Sequence, residues 1–117
     1  MDIKKIVENI RNIDYSSMDT DSFLDDRDSQ EFDTEWSKIF WQIDAEEIPN
    51  EVKKQAEIYK KEVFHVVDEL TGGSELSEYI SEDIELLLYG DYLNIQSEWF
   101  KKFINKYENG ELPTGIL

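Results

Sequence analysis

The residues best placed to do chemistry lie between Asp19 and Trp36, in the run DTDSFLDDRDSQEFDTEW. Eight of these eighteen residues are acidic, and Arg27 is the one cation. Three uses fit such a run: an oxygen-ligand metal site, the start of a solvated helix, or a face shaped for a cationic partner. A calcium loop needs acids at positions 1, 3 and 5, glycine at 6 and glutamate at 12. Counted from Asp19, those later places hold Phe23, Leu24 and Gln30; counted from Asp26, they hold Gln30, Glu31 and Ser37. Neither register fits, and the segment has no glycine. A metal site is therefore not expected, and the choice narrows to a solvated helix start or a partner face.

Other reactive groups are sparse. There is no cysteine, which removes disulfides, thiolate catalysis and Cys-type zinc sites. The single histidine, His65, lies nearly opposite the apolar stripe of its segment, beside Lys61, Glu62, Asp68 and Glu69 at helical spacing, and reads as solvated. Adjacent carboxylates such as Asp25/Asp26 and Glu82/Asp83 carry little information in so acidic a chain, and a hydrolytic pair would also need a concave site at a set separation. Phosphate-binding glycine loops are absent. The expectation is no enzyme, no metal and no cofactor.

The elements that must position these acids are read from apolar spacing. Ile3, Ile6, Val7, Ile10 and Ile13 form one helical stripe. Residues 14–28 break the period, with Phe23 and Leu24 as the only strong anchors, and read as a loop with room for one short helical turn. A second helix starts near Asp28, with Asp28 as N-cap and Glu31 reaching back; its face is Phe32, Trp36, Ile39, Phe40 and Ile43. Pro49 suits the first turn of a third helix. Its stripe runs Val52, Ala56, Tyr59, Val63, Val66, Val67 and Leu70, up to Gly72-Gly73. A fourth carries Leu76, Ile80, Ile84, Leu87 and Leu88 and stops at Gly90. Asn94 caps a fifth, with Ile95, Trp99, Phe100, Phe103, Ile104 and Tyr107, ending at Gly110. No run alternates as a strand does. The expected fold is all-α: one domain over residues 1–117, of about five helices in compact antiparallel, bundle-like packing.

Composition bounds the partners. The chain is 39% hydrophobic and 13% aromatic, enough apolar surface to fold. Its 28 acids against 12 bases give a formal charge of −16, which repels nucleic acid and anionic membranes and attracts basic proteins. No window has the length and hydropathy of a signal peptide or a membrane span, so the expected place is the cytoplasm. The acids are segregated: nine fall between Asn12 and Ser37 with one base, and ten between Glu62 and Phe100 with no lysine or arginine. Helix-start dipoles account for Asp28, Glu31, Glu82 and Asp83. They account less well for Asp19, Asp21, Asp25 and Asp26, which a loop would carry as a clamp for Lys and Arg side chains. Trp41 falls on the far side of its helix from Phe32 and Trp36. It reads either as core of a central, doubly buried helix, the preferred reading, or as an exposed anchor for a partner. Tyr79 and Tyr89 also sit off their stripe and read as half-wet packing.

The stretch YISEDIELLLYGDYLNIQSEWFKKFINKYENGELP is laid out as an acid-led helix, a Gly-Asp turn, a Trp-Phe helix and a Tyr-x-x-Gly-x-x-Pro exit. In this layout, and in its small size, acidity and lack of cysteine, the chain resembles bacterial immunity proteins, the antidotes of inter-bacterial nuclease toxins. The resemblance implies a cognate basic toxin domain as partner. On that reading Asp19, Asp21, Asp25, Asp26, Asp28, Glu31 and Asp33 supply steering charge, Glu78, Glu82, Asp83, Glu85 and Asp91 form a rival surface, and Trp41 is the candidate aromatic contact. The alternative is an acidic nucleic-acid mimic or adaptor that occupies a DNA-binding protein.

Overall fold

The computed structural model describes residues 1–117. Six α-helices follow in order: α1 Ile3–Arg11, α2 Thr20–Arg27, α3 Gln30–Asp44, α4 Asn50–Thr71, α5 Ser74–Tyr92 and α6 Glu98–Glu108, with a 3-10 turn at Tyr15–Ser17. There is no strand, so the all-α expectation holds, with six helices rather than five.

The extra element is α2, in the segment read as a loop. Its N-cap Asp19 accepts hydrogen bonds from the Ser22 amide at 3.1 Å and the Ser22 hydroxyl at 3.1 Å, which ties down the first turn. Its buried side is Phe23, Leu24 and Arg27, so an arginine takes the place an apolar residue would hold in an ordinary stripe.

Three boundaries also move. Asp28 is the C-cap of α2, not the N-cap of α3; Ser29 takes that place and turns its hydroxyl back to the Asp26 carbonyl at 2.7 Å. The Asp28–Glu31 capping box is therefore not formed. Gly90 does not stop α5, which runs on to Tyr92: the Phe100 ring lies where a side chain at 90 would go, so that glycine serves close packing. Asn94 is not the cap of α6. It adopts a left-handed conformation (φ 53°) in the turn, and Ser97 caps α6 by accepting from the Phe100 amide at 3.1 Å.

Helices α4 and α5 form the most extensive pair, an antiparallel hairpin closed at left-handed Gly72 (φ 72°). Helix α1 packs on α4 and α6, and α3 packs on α5. The core is one cluster of 22 buried residues. Its aromatic end is a run of rings, with Phe32 edge-on to Trp99 at 5.3 Å and Phe103 edge-on to Tyr107 at 5.5 Å. Asn9 holds α1 to the end of α6 by donating to the Tyr107 and Glu108 carbonyls at 3.0 and 3.1 Å. Most stripe residues are buried as read, but Leu70 and Phe40 are exposed, because α4 ends in a turn there and α3 covers α5 with only one side. No helix is long and apolar enough to cross a membrane.

Candidate functional site

The site is organised around a buried charge. Asp83, in mid-α5, has no exposed surface, and Arg27 is 5% exposed. The guanidinium donates to both carboxylate oxygens, at 2.9 Å to Oδ2 and 2.7 Å to Oδ1. The Trp36 indole donates to Oδ1 at 2.9 Å, and the Tyr107 hydroxyl donates to Oδ2. Residues from α2, α3, α5 and α6 thus meet on one carboxylate. Arg27 also lies over the Phe32 ring, 4.4 Å from its centroid. Burial opposes the Arg27 charge, and Asp83 with Tyr107 more than offsets it, so its pKa rises. Burial, and then the Asp83 charge, hold the Tyr107 hydroxyl neutral, its pKa well above the ordinary value. Asp83 therefore cannot offer surface charge to a partner: its assignment to the outer acidic surface is corrected, because three donors and low solvent access bind it inside.

That core reaches the surface through Trp36. Its ring stacks on Phe40 at 5.8 Å between centroids and 12° between planes, and Phe40 meets Trp41 edge-on at 5.2 Å. Phe40 is 41% and Trp41 64% exposed. The core reading of Trp41 is thereby overturned: α3 is covered on one side only, and Trp41 points away from it.

Below the ridge, a groove of about 800 Å³ runs between α3, α4 and α5. Ile43, Ile48 and Leu86 form its apolar part, and Asp44, Glu46, Glu47, Glu82 and Glu85 face it against Lys53 and Lys60. Lys60 is already bonded to Glu85, at 2.6 Å. Desolvation first, and then Asp83, raise the Glu82 pKa; Lys60 opposes them, and Glu78 and Glu85 add smaller upward effects.

The remaining acids fall into two sets. Asp21, Asp25 and Asp26 are exposed on α2, and Asp19 caps it. Glu31 and Asp33 lie exposed in the first turn of α3, and Asp91 is exposed near the end of α5. The two acid-rich segments meet where the Tyr79 hydroxyl donates to Asp28 at 2.8 Å. That bond, with lesser effects of burial and Glu75, pushes the Tyr79 pKa up to about 12. Tyr79 is half-buried there, as its off-stripe position suggests. His65 is exposed and pairs with Glu69 at 3.1 Å. No group of His, Asp and Glu side chains is placed to hold a metal ion. The groove was not read from the sequence; its signal was the out-of-phase Trp41 beside the acids Asp44, Glu46 and Glu47.

The site is a helical surface that sets exposed aromatics beside carboxylates, most of them without an ion-pair partner. The chain belongs to the family described as immunity protein PIM1, whose pattern matches residues 2–114. Membership points to an inhibitor that neutralises a cognate toxin, rather than to an enzyme. No curated protein matches the chain.

Proposed function

We propose that this immunity protein binds a basic toxin domain, a nuclease, in the cytoplasm and blocks its active site with an acidic surface. The observation that carries the reading is the excess of 28 acids over 12 bases, set on a chain that belongs to an immunity family. A nuclease site must attract phosphates, so a carboxylate-rich protein competes for the same cations. The steering acids are Asp19, Asp21, Asp25, Asp26, Asp28, Glu31 and Asp33, with Glu78, Glu82, Glu85 and Asp91 on the adjoining helix and Trp41 as aromatic contact. Those acids that stay at the rim of the complex act mainly on the association rate, and those the partner buries act on dissociation.

The test is capture on the immobilised chain from its host lysate, with elution by a salt gradient, followed by assay of the recovered protein on DNA and RNA with and without the chain. The reading expects one basic protein whose nucleic-acid cleavage stops when the chain is added in equal amount. A recovered toxin with no nuclease activity refutes the nuclease assignment. Recovery of a DNA-binding protein that is no toxin supports the mimic instead.

A further inference from the structure

The groove between α3, α4 and α5 differs from the other acidic surfaces in chemistry. It combines an apolar floor, a flat aromatic wall and an excess of five carboxylates over two lysines. Of those carboxylates only Glu85 makes an ion pair, with Lys60. The Lys60 ammonium shows what the groove accepts: a cation at its α5 side, 2.6 Å from a carboxylate oxygen. Glu82, one turn earlier on α5, has no such cation. The Trp36–Phe40 wall is preset, since the Trp36 indole is anchored to Asp83 at 2.9 Å. Pre-positioned rings lose little freedom on binding.

Resting on the toxin-binding reading above, we propose that this groove is the docking site for a basic segment of the toxin, with an arginine side chain lodged between the Phe40 ring and Glu82. A guanidinium suits both neighbours: its plane stacks on an aromatic face, and its edge donates two parallel bonds to a carboxylate. Trp41, edge-on to Phe40 at 5.2 Å, lies beside the groove lining and offers the partner an exposed anchor of the hot-spot kind. The Glu82 pKa is raised first by desolvation and then by Asp83, so the ionised carboxylate is under-stabilised in the free chain and a cation in the groove relieves it. The exposed α2 acids lack an aromatic wall and act at the rim.

The test measures affinity and rates for the captured toxin domain with three variants of the full chain. Trp41→Ala should weaken binding about 30-fold and Glu82→Gln about 10-fold, both through faster dissociation. Asp21→Asn/Asp25→Asn/Asp26→Asn together should slow association while changing dissociation by less than about 2-fold. Trp41 is 64% exposed, so its variant should keep the wild-type circular dichroism and melting curve. If both groove variants bind as tightly as wild type while the triple variant dissociates faster, the groove assignment is wrong and the toxin-binding reading stands. If wild-type chain binds no toxin domain, the reading itself falls, and the groove with it.

Discussion

Replacing Asp83 by alanine probes the contact that joins core to site. The change leaves the Arg27 guanidinium at 5% exposure with no counter-charge, and strips acceptors from the Trp36 and Tyr107 donors. Removing one member of a buried pair costs about 3–5 kcal/mol. Each buried donor left without a partner adds about 1–3 kcal/mol, less whatever water entering the vacancy returns. Since these terms share one vacancy they do not sum, and a loss of about 4 kcal/mol is expected. With an unfolding entropy of about 2 cal/mol/K per residue, that lowers the melting temperature by about 15 °C. Urea and thermal unfolding followed by circular dichroism measure it. The double variant Arg27→Met/Asp83→Asn should be more stable than Asp83→Ala alone: it removes the stranded charge and keeps an amide to serve Trp36 and Tyr107. A coupling above about 1 kcal/mol between positions 27 and 83 is expected for groups in direct contact. If Asp83→Ala costs less than about 1 kcal/mol, or the two positions add without coupling, the buried pair is not what holds α2 against α5.

Three further outcomes follow from the same contacts. Glu82→Gln should raise the stability of the free chain at neutral pH. The folded state holds the Glu82 proton more tightly than the unfolded chain, so the ionised carboxylate costs stability above its folded pKa. That cost fades as pH falls through the folded value and is gone below the ordinary Glu value; melting curves of both proteins should therefore converge in acid. Desolvation is the largest cause of this shift and Asp83 the next; Lys60 opposes them, Glu78 and Glu85 add less, and Glu82 is exposed enough that screening keeps the gain small. Gly90→Ala should destabilise by about 1–3 kcal/mol, since its methyl would meet the Phe100 ring, with Cε2 at 2.8 Å; urea midpoints read this directly. Trp41→Ala should leave the unfolding free energy from urea titration within about 0.5 kcal/mol of wild type, while fluorescence loses the contribution of an exposed indole.

The five long helices were legible because their cores are apolar residues at regular helical spacing, such as Ile80, Ile84 and Leu87 on α5, all fully buried. Helix α2 was not, because its inner face is Phe23, Leu24 and Arg27. An arginine can face inward only with a counter-charge, and that charge, Asp83, lies 56 residues away, outside the reach of any local pattern. The same non-local pairing hid Asp83 among the surface acids: in sequence it is one more carboxylate beside Glu82. Capping was misread at Asp28 and Asn94 because both residues are good caps but equally good turn residues, and Ser29 and Ser97 stood close by. Trp41 was visible as an out-of-phase aromatic; whether it faced core or water depended on how many helices cover α3. The acidic character of the candidate site was plain from composition. The groove itself depended on the packing of α3 against α5.

The most direct measurement is the residual nucleic-acid cleavage of the captured toxin domain as this chain is added, at low and at high salt. Loss of activity at one equivalent, with the inhibitory concentration rising as salt increases, is the predicted result. Full toxin activity in a saturated complex, or inhibition unmoved by salt, would contradict an acidic surface that blocks a basic active site.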